Sequence, residues 1–151
     1  DWLHPADASD PSFQFSAYRE YSIVINDAMN TEQRALTMEI KSEDYLVSYI
    51  PEAATVTFEG LLRLSGMDEY APIVGLLNEV ATGNLPILTL DLRSLQFLNS
   101  SGINMLSKFV LRVRQQDKTQ IVVKGSNDIP WQSKSLKNFQ RLMPNLQLEF
   151  D

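Results

Sequence analysis

The feature that most restricts the fold is one continuous run, Leu90-Asp91-Leu92-Arg93-Ser94-Leu95-Gln96-Phe97-Leu98-Asn99-Ser100-Ser101-Gly102-Ile103. Residues 87–92 are almost continuously apolar, which predicts a central strand covered on both faces. A short segment carrying Leu95, Phe97 and Leu98 then crosses over, and the polar turn Asn99-Ser100-Ser101-Gly102 opens a helix over residues 100–116. Ile103, Leu106, Phe109, Val110 and Val113 recur along one side of that helix, the spacing of an amphipathic helix lying on a core. A buried strand that feeds such a helix through a tight turn predicts an α/β domain with strand and helix in adjacent layers.

The rest of the chain fits around this unit. Leu36, Met38 and Ile40 alternate with polar residues, the period of a half-buried strand. Residues 45–50 and 55–61, separated by Pro51-Glu52-Ala53, predict a hairpin. A helix follows, with Asp68 as its N-cap, Pro72 in its first turn and Ile73, Leu76, Leu77 and Val80 as its apolar stripe, ended by Thr82-Gly83-Asn84. Residues 120–123 predict a strand closed by Gly125-Ser126-Asn127-Asp128, and residues 130–143 predict a third helix with Trp131, Leu136 and Phe139 inward. Pro144-Asn145 breaks it, and Leu146, Leu148 and Phe150 alternate in a last strand. The predicted fold is α/β: a mixed sheet of four or five strands with helices mainly on one face, plus an N-terminal extension.

That extension spans residues 1–34, ahead of a domain over residues 35–151. Residues 1–12 are rich in Pro, Asp and Ala and read as a flexible tail. Phe13, Phe15, Tyr18, Tyr21, Ile23 and Ile25 are too many apolar residues for a solvated arm, so this segment is expected to pack on this chain or a neighbour, with a short strand at 21–25. The chain opens at Asp1 rather than Met, so its first residues read as processed or as joined ahead of an original start, for which Met29 is a candidate.

Charge and composition exclude several functions. The net charge of −6 argues against a general nucleic-acid or anionic-membrane binder, since both need basic surface. The charge is uneven: residues 1–70 carry 13 acids against 4 bases, and residues 71–151 carry 6 acids against 9 bases. The absence of cysteine removes disulfides, thiolate chemistry and cysteine-based zinc sites, and fits a cytoplasmic protein. No apolar run approaches a membrane span. The single histidine, His4, lies in the predicted tail, where nothing would hold it against a serine as a triad requires. There is no G-x-S-x-G elbow, P-loop or G-x-G-x-x-G. No catalytic residue, metal site or cofactor is predicted.

The Asn-Ser-Ser-Gly turn supports two readings. Either Asn99 or Ser100 occupies the N-cap, where a side-chain oxygen accepts a backbone N–H and stabilises the helix by about 1 kcal/mol. The same free N–H groups and the positive end of the helix dipole also favour an anion. A phosphoryl group on Ser100 would bring nearly two negative charges to a place the backbone tolerates. A partner packing on this turn would meet a bulky dianion while the fold stayed intact, and Gly102, without a side chain, would let that partner approach closely.

At these residues the sequence resembles the STAS domains, and within them the bacterial anti-sigma-factor antagonists. That family has a central strand, an aromatic-containing connection and Asp-Ser-Ser-Gly or a close variant opening an amphipathic helix. Here Leu90-Asp91-Leu92, Phe97-Leu98 and Asn99-Ser100-Ser101-Gly102-Ile103 match it, as does Thr57-Phe58-Glu59-Gly60 at the end of a strand before the first helix. The similarity in element order covers residues 44–150. The resemblance implies a non-enzymatic cytoplasmic signalling switch in bacterial transcription regulation. Ser100, or alternatively Ser101, would be phosphorylated by a serine kinase/anti-sigma factor of histidine-kinase-like ATPase fold, and a PP2C-type phosphatase would reverse this. Asn99, Ser100, Ser101, Gly102 and Asn104 would form the partner-binding surface. Asn99 departs from the common Asp, keeping the turn geometry but removing a charge, and residues 1–34 exceed a minimal member. The alternative is a STAS-like accessory or scaffold subunit of a membrane transporter, in which the serine is only a cap.

Overall fold

The computed structural model describes residues 21–25 and 36–151; the predicted tail at 1–12 with His4, and Phe13, Phe15 and Tyr18, lie outside the described residues. The elements run β1 (Tyr21–Ile25), β2 (Leu36–Lys41), β3 (Tyr45–Ile50), β4 (Thr55–Leu62), α1 (Gly66–Ala81), β5 (Ile87–Leu98), α2 (Ser100–Gln116), β6 (Gln120–Gly125), α3 (Pro130–Ser135), α4 (Lys137–Leu142) and β7 (Gln147–Phe150). Among the described residues, seven strands form one sheet in sequence order. β1 to β4 pair antiparallel, and β4 to β7 pair parallel through connections that carry the helices. The sheet is wider than the four or five strands predicted. Residues 21–25 pair with β2 of the same chain, Tyr21 opposite Ile40 and Ile25 opposite Leu36.

Alternation along the strands sets the core. Ile40, Val47, Val56, Phe58, Leu88, Leu90, Leu92, Ile121 and Val123 are buried on one face, against Tyr70, Ile73 and Leu76 of α1, Leu106 and Val110 of α2, and Leu136 and Phe139. Each such side chain contributes about 1.5–3 kcal/mol by leaving water. The helices therefore cover one face, and residues 87–92 are covered on that face only, whereas their apolar content predicts both. Leu88, Leu90 and Leu92 enter the core, while Thr89 and Asp91 are half-buried on the opposite face and Ile87 is exposed. The run is an alternating strand with an extra apolar residue at its start.

Three boundaries also differ from the sequence reading. α1 begins at Gly66 with Ser65 at the N-cap, and the Glu69 carboxylate accepts the Ser65 N–H at 3.0 Å, so Asp68 lies in the first turn and Pro72 inside the helix. The third predicted helix is two short ones joined at the buried Leu136, where the Phe139 N–H turns back to the Leu136 carbonyl at 3.1 Å. The segment expected to cross over after residue 92 remains strand. β5 pairs with β6 only from Ile87 to Asp91, then continues along β4 through Ser94, Leu95, Phe97 and Leu98 with two register shifts. Gly60 sits at the second shift with φ of +91°, its would-be Cβ against the Asp44 carbonyl that accepts the Leu61 N–H at 2.8 Å.

Beyond β6, the carbonyls of β5 need other donors. Gln132, fully buried, supplies them: Nε2 donates to the Leu92 and Leu95 carbonyls at 2.6 and 3.1 Å, and Oε1 accepts the Ser126 N–H at 2.8 Å. The Trp131 indole also donates to the Leu95 carbonyl, at 3.2 Å. On the open face the Arg93 guanidinium donates to the Asp91 carboxylate from Nε at 2.9 Å and from its terminal nitrogen at 2.8 Å, and to Asp151 at 3.2 Å. These bonds hold the Asp91 carboxyl below the usual carboxylate range. Among the described residues no helix is long and apolar enough to cross a membrane.

Gln132→Leu keeps the volume but strips three hydrogen bonds, and is expected to destabilise the fold by about 2–3 kcal/mol in urea unfolding. Asp91 has a folded pKa below its unfolded value. Its contribution is therefore complete above about pH 4, the unfolded value, and lost as pH falls through the folded one. Asp91→Asn is expected to flatten that acid limb in thermal melts taken across pH 2–6, to within the slope left by other carboxylates.

Candidate functional site

β4 and β5 end side by side, with Leu62 paired to Leu98. The Asn99 N–H donates to the Leu62 carbonyl at 3.1 Å, so the sheet register carries directly into the turn. Asn99 then takes extended backbone angles as the N-cap of α2, and its carbonyl accepts the first helical bond from the Ile103 N–H at 2.9 Å. Of the two candidate caps, Asn99 holds the position and Ser100 is the first helical residue.

The Asn99 side chain makes three bonds with three elements. Oδ1 accepts the Gly102 N–H at 2.9 Å and the Tyr70 hydroxyl at 2.7 Å, and Nδ2 donates to the Leu64 carbonyl at 2.8 Å. Burial pushes the Tyr70 phenol above its ordinary value, so it stays protonated at neutral pH and can donate. This explains asparagine in place of aspartate. A carboxylate could accept from Gly102 and Tyr70, but its second oxygen would face the Leu64 carbonyl with no proton between them. Gly102 is explained by packing: a Cβ there would collide with the Leu98 side chain and lie 2.8 Å from the Tyr70 hydroxyl. Gly102 is buried under this contact.

The structure places the five predicted site residues at the start of α2 but in different environments. Asn99 is turned inward and committed, Gly102 is buried, Ser101 is half-buried, and Ser100 and Asn104 are exposed one turn apart on one side of α2. The Ser100 hydroxyl makes no hydrogen bond among the described residues. Because Asn99 does the capping, that hydroxyl is free for chemistry without loss of the cap. Tyr70 and the Leu64 carbonyl were absent from the sequence reading. Tyr70 falls three residues before Ile73, so running the apolar stripe of α1 back one turn finds it.

Asn99→Asp is expected to cost about 1–3 kcal/mol in urea unfolding at pH 7, and Tyr70→Phe about 1 kcal/mol, because Asn99 then keeps its bonds to Gly102 and Leu64. An Asn99→Asp protein as stable as the parent would remove the role assigned to the Leu64 contact.

No protein-family model matches the chain, and no curated protein matches it. Solved structures do. SiaC of Pseudomonas aeruginosa superposes with a TM-score of 0.55 at 12% sequence identity, covering 76% of this chain and 94% of that one. Apo-SiaC from the same organism gives 0.55 at 11% identity, covering 86% and 98%. The crystal structure of the diguanylate cyclase SiaD in complex with its activator SiaC supplies a chain with a TM-score of 0.57 at 12% identity, covering 74% and 96%. At such identity the likeness is one of fold, and this chain has the STAS-like α/β fold that its motif implied.

Proposed function

We propose that this chain is a non-enzymatic signalling switch that binds a protein partner through the Ser100 turn and the exposed side of α2, and that phosphate on Ser100 weakens the binding. One observation carries the reading: Ser100 is exposed at the first position of a helix whose cap is already provided by Asn99. The N–H groups at that position have no helical acceptor, which favours an oxyanion, so the mark alters the surface and leaves the cap in place. Two further facts support it. The motif resembles that of the anti-sigma-factor antagonists, and a neighbour of the same fold, SiaC, is an activator that acts in complex with an enzyme, SiaD. The kinase that marks Ser100 is taken to be a serine kinase of histidine-kinase-like ATPase fold, with a PP2C-type phosphatase removing the mark.

Incubation with ATP and candidate serine kinases from the same genome, followed by peptide mass spectrometry, is expected to place phosphate on Ser100. In pull-downs with the partner so identified, Ser100→Asp is expected to lower affinity about tenfold or more, and Ser100→Ala to bind like the unmodified protein. Equal binding by both variants, with no phosphopeptide over residues 94–108, would instead leave Ser100 as a bystander in a scaffold.

A further inference from the structure

α2 differs in charge from the rest of the chain. No acid occurs between residues 92 and 116, while Lys108, Arg112 and Arg114 all lie on this helix, in a protein of net charge −6. Arg114 is spent on the Leu142 carbonyl, at 2.8 Å. Lys108 and Arg112 are exposed and have no acidic partner among the described residues. Both line a groove of about 240 Å³ between α1 and α2, whose apolar lining comes from Met67 and Val74 and, buried at its floor, from Leu77, Met105 and Phe109. Met67 is 39% exposed at the mouth of this groove. On α2 the groove is lined from Met105 through Lys108 and Phe109 to Arg112, and Ser101 stands four residues before Met105 on the same side of the helix, so the groove runs down the side of α2 that the Ser100 turn opens.

The groove is thus apolar below, cationic at its rim and adaptable at its mouth, since a thioether moulds to irregular apolar surfaces. Two parallel ridges with a hollow between them suit a third helix laid along them. We propose that the groove takes an acidic amphipathic helix of the protein partner, its apolar side chains on Met67, Val74, Met105 and Phe109 and its carboxylates on Lys108 and Arg112. The inference rests on the reading of the Ser100 turn as partner-facing and gives that partner its chemistry. It also explains the leverage of a phosphate. Ser101 lies seven residues and Ser100 eight residues before Lys108, about 11 and 12 Å along the helix, near one screening length. A dianion there competes for the field that attracts the partner's acids.

The methionines give the test. Met67, exposed at the mouth, and Met105, buried at the floor, line the groove, whereas Met38 and Met143 are buried elsewhere and report on the fold. The whole chain, labelled at its methionine methyls, is titrated with a synthetic helical peptide that has leucine at every third and fourth position and glutamate between, and with its lysine counterpart. The glutamate peptide is expected to shift Met67 and Met105 saturably and to leave Met38 and Met143 in place, and the lysine peptide to do neither. Lys108→Glu with Arg112→Glu is expected to lower affinity for the glutamate peptide by about tenfold or more, with Met38 and Met143 unchanged. Equal response to the two peptides, or none, would overturn the inference. So would movement of Met67 and Met105 with protein concentration alone, which assigns the groove to a second copy. A stronger response to a peptide of residues 1–20 assigns it to this chain's own N-terminus and overturns it likewise. The two readings fail separately: a partner lost with Ser100→Asp but indifferent to the double charge reversal sinks the groove and keeps the switch, and the reverse pattern sinks the switch and keeps the groove.

Discussion

The site depends on one side chain that needs both an acceptor and a donor. Asn99 joins the end of the central strands to α2 through Gly102, to α1 through Tyr70, and to the β4–α1 connection through Leu64. Tyr70 and Leu64 are 29 and 35 residues away in sequence, so the amide fastens three separate chain segments at one point. Any substitute that only accepts or only donates leaves a polar group of this partly buried cluster unmatched. The geometry of the turn, and hence the exposure of Ser100, follows from this fastening rather than from anything Ser100 does itself.

Behind the turn, a second amide serves the same end. β5 outruns its neighbour β6, and a strand without a neighbour has carbonyls to satisfy. Gln132 closes that gap from α3 while holding the Ser126 N–H, so the far half of β5 is fixed on one edge by β4 and on the other by a buried side chain. A rigid strand delivers Asn99 to a fixed place. Two neutral amides do this without burying a charge, which would have carried a desolvation cost of several kcal/mol.

Much of the fold was legible because strand alternation and helical spacing are strong local signals. The span of α2 follows from its apolar spacing and its turn, and the strands at 36–41, 45–50 and 55–62 from period two. The failures share a cause. The extension of β5 to Leu98 is hidden because its register shifts break the alternation, so Arg93, Ser94 and Gln96 read as loop. The start of α1 at Gly66 is hidden because Asp68 is a good cap by type and Pro72 a good first-turn residue, whereas the bond from Ser65 to Glu69 depends on geometry. Asn99 and Ser100 are equally good caps in sequence. Only Leu64 and Tyr70 separate them, and no local pattern links those residues to position 99. Gln132 reads as one polar residue of a helix, and its burial is set by where β6 stops.

The separation of labour between Asn99 and Ser100 bears on how such a switch can work. A serine that caps its own helix cannot be modified without losing the cap, about 1 kcal/mol, and a mark there would loosen the structure that presents it. Here the cap is a neighbour that cannot accept a phosphate, and the serine is the next residue, exposed at the positive end of α2. In the proposed mechanism the unpaired N–H groups of Ser100 and Ser101 face the dianion, while the Gly102 N–H stays with Asn99. The fold is then insensitive to the mark and the surface is not. Asparagine at position 99 departs from the aspartate common beside the phosphorylated serine in the family that the motif resembles, and it keeps the cap while removing the charge. The neutral amide that fastens the turn also keeps the ground beside Ser100 free of negative charge.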